Sequence, residues 1–188
     1  ISLTEYKNNK ETEIVRRIDD LGRVVVPKEI RRTLRIKESD PLEIFTDRDG
    51  KIILKKYSPI GELGEFAKEY AQSLAQVSGY TVCIADHDQI IAASGKRAKE
   101  YSGRLIDEEL ESVILNRKTV KLAKKEAVRL TQNDAGGYQS QVISVITSLG
   151  DCVGAVIIFS DDGEKELGET EIKLAKAAAG FLGRQMEQ

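Results

Sequence analysis

Arg16, Arg17, Arg23, Arg31 and Arg32 are the side chains whose type and spacing could do chemistry on another molecule. Each carries a planar guanidinium that forms paired hydrogen bonds to a phosphate or a guanine edge, where a lysine offers only a point charge. All five lie in IVRRIDDLGRVVVPKEIRRTLRI, residues 14–36, which holds seven Arg and Lys against three Asp and Glu. The full chain of 188 residues has 29 basic and 31 acidic side chains, so the remainder stands at 22 against 28. Positive charge collected in one span of an acidic chain is what a polyanion-binding surface requires, although a solvated face can show it too. Taken singly, each arginine could instead be solvated or paired with Asp19, Asp20 or Glu29. If about five phosphates per chain are neutralised, log affinity falls against log salt with a slope of roughly −4 to −5 per protomer.

The elements that must position these groups can be read from the pattern. "RVVV", "LEIF" and "KIILKK" are strand-like patches, and "DDLG" and "DRDG" supply the Asp and Gly that tight turns need, which predicts two hairpins. Between them PKEIRRTLRI starts with Pro27, suited to a first helical position, and repeats Ile30 and Leu34 at i and i+4, so a helix of about two turns is expected. Arg16 and Arg17 then sit on a strand beside the turn, Arg23 just after it, and Arg31 and Arg32 on the helix. Asp19 and Asp20 are expected to shape the turn and orient the arginines, while Arg35 and Lys37 point to solvent. Ile14, Arg16 and Ile18 share a parity, which predicts a twist or bulge. About fifty residues with so few apolar side chains make a marginal core, so two copies are expected to interleave strands and close one barrel-like core between them.

A boundary is expected near Tyr57 to Gly61 (YSPIG), giving domains 1–56 and 57–188; residues 1–56 carry 14 basic and 11 acidic side chains, residues 57–188 carry 15 and 20. The second module opens with GELGEFAKEYAQSLAQVSG, where Leu63, Phe66, Tyr70 and Val77 follow a helical seam, and closes with GETEIKLAKAAAGFLGRQMEQ, where Ile172, Ala175, Ala179, Leu182 and Met186 step by three and four. These helices, 61–78 and 168–187, either pack on their own sheet or bundle with copies in another subunit. Between them TVCIAD, QIIAAS, TVKLA, VISVITSL and CVGAVIIFS read as an antiparallel sheet, with a helical stretch at Asp107 to Asn116. The order predicts an α+β sandwich with flanking helices.

No apolar run is long enough, about 18 to 20 residues, to cross a bilayer, and a cytoplasmic protein is expected. Residues 1–13 are polar, have no apolar centre and read as a mobile arm. Cys83 and Cys152 are the two cysteines, each inside an apolar run, which fits core residues better than a disulfide. His87, in "DHDQ", is read as a solvated hairpin tip. No Gly-rich phosphate loop, Ser-His-Asp set or paired carboxylates emerge, so no catalytic residue, cofactor or metal site is predicted. The stretch NDAGGY, Asn133 to Tyr138, could form a loop covering a cavity under the sheet, open to a small-molecule effector, or the module could be fully packed.

The span IVRRIDDLGRVVVPKEIRRTLRI followed by PLEIFTDRDGKIILKKY closely resembles the AbrB family of bacterial transition-state regulators: a strand, an Asp-x-Leu-Gly-Arg turn, valines, Pro, and Arg-Arg-x-Leu on a short helix. The second module resembles a GAF domain, and the pairing of the two is similar to that of sporulation regulators. The resemblance implies a swapped-hairpin barrel dimer through residues 14–56, with Arg16, Arg17, Arg23, Arg31 and Arg32 of both chains on double-stranded DNA. One departure is Thr12-Glu13 before Ile14, where family members have Thr-Gly. A two-stranded ribbon with flexible arginines predicts loose, A·T-biased or shape-dependent readout. The leading expectation is therefore a transcription regulator assembled as a homodimer or, through the second module's helices, a homotetramer. One alternative is a free methionine sulfoxide reductase, since one branch of GAF domains has that activity and would use Cys83 and Cys152. Another is an antitoxin, since those share the barrel.

Overall fold

The computed structural model describes residues 14–187; the arm expected at 1–13 lies outside the described residues. The chain divides after Tyr57 into two compact units.

In the first unit Pro27 precedes a short helix, α1 (Lys28–Thr33), and two strands, β1 (Leu42–Thr46) and β2 (Ile52–Lys56), pair antiparallel around the 47–50 turn. The helix and second hairpin thus form where the pattern places them. The first hairpin does not: residues 14–18 and 23–26 have no ladder, although the turn between them is made. A strand needs a neighbour for its N–H and C=O groups and a core for its apolar face. Val15, Ile18, Leu21, Val24 and Val25 are all exposed, so within one chain nothing covers that face.

In the second unit the hydroxyl of Ser58 accepts from the Gly61 N–H and starts α2 (Pro59–Glu62), which leads into α3 (Gly64–Ser78). Strands β3 (Thr81–Ala85) and β4 (Ile90–Ser94), helices α4 (Ala98–Tyr101) and α5 (Glu108–Leu115), strands β5 (Val120–Ala123), β6 (Tyr138–Ser148) and β7 (Asp151–Asp161), and α6 (Glu169–Gln185) follow. The five strands form an antiparallel sheet in the order β4-β3-β7-β6-β5.

Side chains alternate across this sheet. Val82, Ile84, Val142, Val156 and Ile158 pack under α3 and α6, whereas Cys83, Ala85, Ile143, Ile157 and Phe159 pack on the face holding Tyr101, Leu110 and Ile114. Both faces are buried, which is why "VGAVIIF" is a continuous apolar run without polar alternation. Two glycines allow close backbone approach: a Cβ at Gly154 of β7 would stand 2.0 Å from the Ala85 carbonyl oxygen at the end of the neighbouring β3, and one at Gly183 of α6 would stand 2.2 Å from that of Thr147 in β6, which lets the helix lie on the sheet.

The closing helix buries Ala175, Ala179 and Leu182 on the sheet, as its spacing implies. The opening helix behaves otherwise. Its buried residues are Ala67, Ala71, Leu74 and Ala75, while Phe66 and Val77 of the expected seam are exposed. Small alanines let α3 lie close to the sheet, Phe66 and Val77 turn outward, and Phe66 and the half-buried Tyr70, which borders the core, stack with half-buried Phe181 of α6 at centroid distances of 5.6 and 5.4 Å.

Candidate nucleic-acid interface

The turn that carries Arg23 is built by one carboxylate. Asp19 Oδ1 accepts from the backbone N–H groups of Leu21 (3.0 Å) and Arg23 (2.8 Å), and Oδ2 accepts from Arg23 Nε at 2.8 Å. The Asp19 N–H donates to the Arg23 carbonyl, and Gly22, at φ +75°, donates back to the Asp19 carbonyl. The backbone N–H of Arg23 and then its guanidinium hold the Asp19 carboxyl below the usual aspartate range. Asp19 thus closes the turn and aims the arginine.

The second hairpin repeats the device. Asp47 Oδ1 accepts from the N–H groups of Asp49 (3.0 Å) and Lys51 (2.8 Å), Lys51 Nζ lies 3.7 Å from Oδ2, and the Lys51 N–H leads the causes that lower the Asp47 pKa. The shared pattern is Asp-x-x-Gly-Arg/Lys, in DDLGR and DRDGK. Turn residues alone mark two turns; only the common basic fifth position, facing back to the Asp, signals one geometry used twice.

Arg16 and Arg17 are exposed just before the first turn, and Arg32 is exposed in the last turn of α1. Arg31 is half-buried, and its Nε is buried without a hydrogen-bond partner. Arg35, expected in solvent, is half-buried with φ +53°, and its carbonyl accepts from Lys56 Nζ at 3.0 Å; ending the helix in the left-handed region turns it inward.

The second unit holds a cleft of about 510 Å³ lined by Tyr101, Arg104, Leu105, Thr131, Gln132 and Asp134. The loop at 133–137 is tied down beside it. Asp134 accepts from the N–H groups of Leu130 (2.7 Å) and Gly136 (2.8 Å) and from the Tyr138 hydroxyl, which lies 2.9 Å from that of Tyr101. Burial, and then the bond to Asp134, raise the Tyr138 pKa well above that of a free tyrosine; burial likewise raises that of Tyr101. The Arg97 guanidinium plugs the interior over the rings of Tyr101, Tyr138 and Phe159, bonded to Glu100 and Asp161. Sequence reasoning missed Arg97, because residues 64 positions apart in the chain form its binding site.

Cys83 is fully buried, and burial pushes its thiol far up. Cys83 faces Ile157 in register, so Cys152 lies five residues away along β7, about 17 Å at the rise of a strand. His87 is exposed, and the neighbouring Asp86 spends its carboxylate on the N–H groups of Asp88 and Gln89 and the Ser58 hydroxyl. Among the described residues no group of His, Cys, Asp and Glu could hold a metal ion, and no helix is long and apolar enough to cross a membrane.

The family "Stage V sporulation protein T C-terminal, transcription factor" matches residues 62–187. Stage V sporulation protein T of Bacillus subtilis (strain 168) is 54% identical over 95% of this chain and 99% of that protein. The chain belongs to the stage V sporulation protein T family. Residues 15–62 also match the family "Antidote-toxin recognition MazE, bacterial antitoxin", and transition state regulatory protein AbrB of Bacillus subtilis (strain 168) is 66% identical over 50 residues, 27% of this chain and 51% of AbrB. The blue-light-absorbing form of the PixJ GAF domain from Thermosynechococcus elongatus shares the second unit's fold, with a TM-score of 0.54 at 13% identity over 70% of this chain and 89% of that one. Members of the stage V sporulation protein T family are transcription factors, and this one joins an AbrB-like first unit to a second unit with the GAF fold.

Proposed function

We propose that residues 14–56 of two chains intertwine into one swapped-hairpin barrel, and that Arg16, Arg17, Arg23, Arg31 and Arg32 of both then form one cationic face on double-stranded DNA. The observation that carries this reading is an incomplete unit around a finished turn: Asp19 already orients Arg23, while Val15, Ile18, Val24 and Val25 remain uncovered. A second chain would supply the missing neighbour strands and bury those side chains, and a repacked α1 gives the unpartnered Arg31 Nε a phosphate or carbonyl. The units 1–56 and 57–188 act as separate modules of a cytoplasmic sporulation regulator, DNA contact in the first and assembly in the second. The stack of Phe66, Tyr70 and Phe181 joins dimers into tetramers. Two barrels on one particle raise the effective concentration of the second on the same duplex. An effector of the second unit would occupy the cleft beside Asp134.

The protein is not an enzyme on this reading. A thiol-dependent reductase needs an exposed, low-pKa thiolate beside a resolving partner, and Cys83 has neither. A gel shift on A·T-rich promoter DNA across a salt series, with light scattering for mass, tests the proposal. Arg23→Ala and Arg31→Ala should abolish binding at unchanged helical content and particle mass. A parent protein that ignores duplex DNA at low ionic strength, or that remains a monomer, rules the reading out.

A further inference from the structure

The second unit carries its own segregated charge. Six of the 15 basic residues from position 57 onward, Arg117, Lys118, Lys121, Lys124, Lys125 and Arg129, fall within 13 consecutive positions that contain one acid, Glu126. Without that stretch the unit stands at 9 basic against 19 acidic, a sharper contrast than the arginine-rich span makes with its surroundings. All six side chains are exposed. They follow the outer margin of the five-stranded sheet, because β5 pairs with β6 alone.

Two simpler explanations fall short. Lysines on an edge strand block pairing with other chains, but β5 covers only Val120–Ala123 and contains Lys121 alone, so Lys118, Lys124 and Lys125 extend the charge past both ends of the ladder. Internal pairing accounts for part: Lys121 meets Glu166 at 3.2 Å, Lys124 meets Asp162, Arg129 meets Glu109 at 3.3 Å and the largely buried Asp107 at 3.7 Å, and Arg117 donates to the Gly150 carbonyl at 2.8 Å. The partners of Lys121 and Lys124 are both more than half exposed, and no ion pair is seen for Lys118 or Lys125 among the described residues. Exposed pairs of this kind hold less than about 1 kcal/mol, so phosphates replace the carboxylates at little cost.

We propose that this margin, Arg117 to Lys125, is a second contact to the DNA backbone, taking phosphates of the duplex that the first unit has engaged. The proposal rests on the DNA-binding reading above. Once the first unit is bound, the covalent tether keeps the second near the same duplex, so contacts too weak to bind alone are occupied. The acidic remainder of the unit is repelled by DNA, which leaves the basic margin as the side that can approach. Such contacts carry no sequence information; they steepen the salt dependence and lengthen the protected tract.

The test uses the full chain on a long A·T-rich duplex, with anisotropy titrations across a salt series and hydroxyl-radical protection. The variant Lys118→Ala/Lys121→Ala/Lys124→Ala/Lys125→Ala should keep the parent's circular dichroism and mass. Its salt slope should shrink by about 3 to 4, near 0.9 for each phosphate released, with a shorter protected tract. The same four positions changed to Arg should restore both. If slope and tract stay at parental values while Arg23→Ala abolishes binding, the proposal is overturned, and the margin belongs to an acidic protein partner instead. If the parent itself does not bind, the DNA-binding reading fails and takes this proposal with it.

Discussion

Two units of one chain sit on opposite sides of what a single polypeptide can complete. In the second, both sheet faces are covered, and Ile84, Leu110, Ile143, Ile157 and Leu182 are wholly or almost wholly buried. Among the described residues of the first, Pro27 alone is buried, while Val15, Ile44 and Ile52 are 87%, 69% and 70% exposed. Their local chemistry is equally well formed: the Asp19 and Asp47 turns are as fully bonded as the Asp86 turn. What separates the units is apolar area left uncovered, and the difference teaches that turns and short helices are decided locally whereas a core is a matter of how much chain is present.

That contrast can be broken at its most consequential point by placing a charge on the uncovered face. Ile18→Asp/Val24→Asp costs nothing if the first unit works as one chain, since both residues are already exposed. In an intertwined core it buries unpaired carboxylates, so light scattering should show loss of the dimer through the first unit, and DNA affinity should fall at least about 100-fold. The second unit's thermal transition should not move.

Gly154→Ala makes the complementary cut. Its Cβ would meet the Ala85 carbonyl oxygen at 2.0 Å and Ile60 Cδ1 at 2.7 Å, a contact with backbone that no side-chain rotation relieves. A loss of roughly 3 kcal/mol is expected, at the upper end for overpacking, read as a lowered melting temperature of the second unit while the turn resonances of the first stay in place.

Tyr138→Phe should have a smaller effect of about 1 to 2 kcal/mol by removing the donor to Asp134, and Asp134→Asn in the same background should cost more again, because its NH2 group then faces the Leu130 or the Gly136 N–H in place of an acceptor oxygen. The pH dependence has a definite sign. Tyr101 and Tyr138 hold their protons more tightly folded than unfolded, so their contribution is complete below pH 10.0, the ordinary tyrosine value, and is lost as pH rises above it. Absorbance near the tyrosinate band should show these two silent until the unit unfolds.

Asp19→Ala is the mildest change and sharpens the local side of the comparison. It should disorder the Arg23 turn, reduce DNA affinity several-fold, and leave both particle mass and second-unit stability alone. Because the Asp19 pKa is depressed in the folded chain, the ordered turn persists at mild acidity and is lost only as pH falls below 3.8, the ordinary aspartate value, which NMR of the Arg23 amide can follow.

Legibility in the sequence followed the range of the interactions. Pro27, the Asp-x-x-Gly turns and the helix at Asp107 are visible because each rests on contacts within about four residues. The rotation of α3 is not visible: Leu63, Phe66, Tyr70 and Val77 form a good helical seam, but Ala67, Ala71, Leu74 and Ala75 face the core, where the small alanines let the helix lie close to the sheet. Charge contrast alone picks out the span 14–36 with its seven basic side chains, and the AbrB resemblance narrows these to the five arginines. The half-buried placement of Arg31 and Arg35 and the cage around Arg97 could not be read this way: the Arg31 Nε is left without a hydrogen-bond partner, and the groups that meet the Arg35 carbonyl and the Arg97 guanidinium include Lys56, Tyr138, Phe159 and Asp161, far along the chain.

By itself the sequence determined where charge is collected, which turns form and what chemistry the exposed groups can offer, because those follow from residue type and near neighbours. Only the tertiary structure decided which face of α3 meets the sheet, that the Tyr101 and Tyr138 phenols meet, and how the Arg97 guanidinium is caged. Those outcomes depend on volumes and distances between residues far apart in the chain, and no local pattern encodes them.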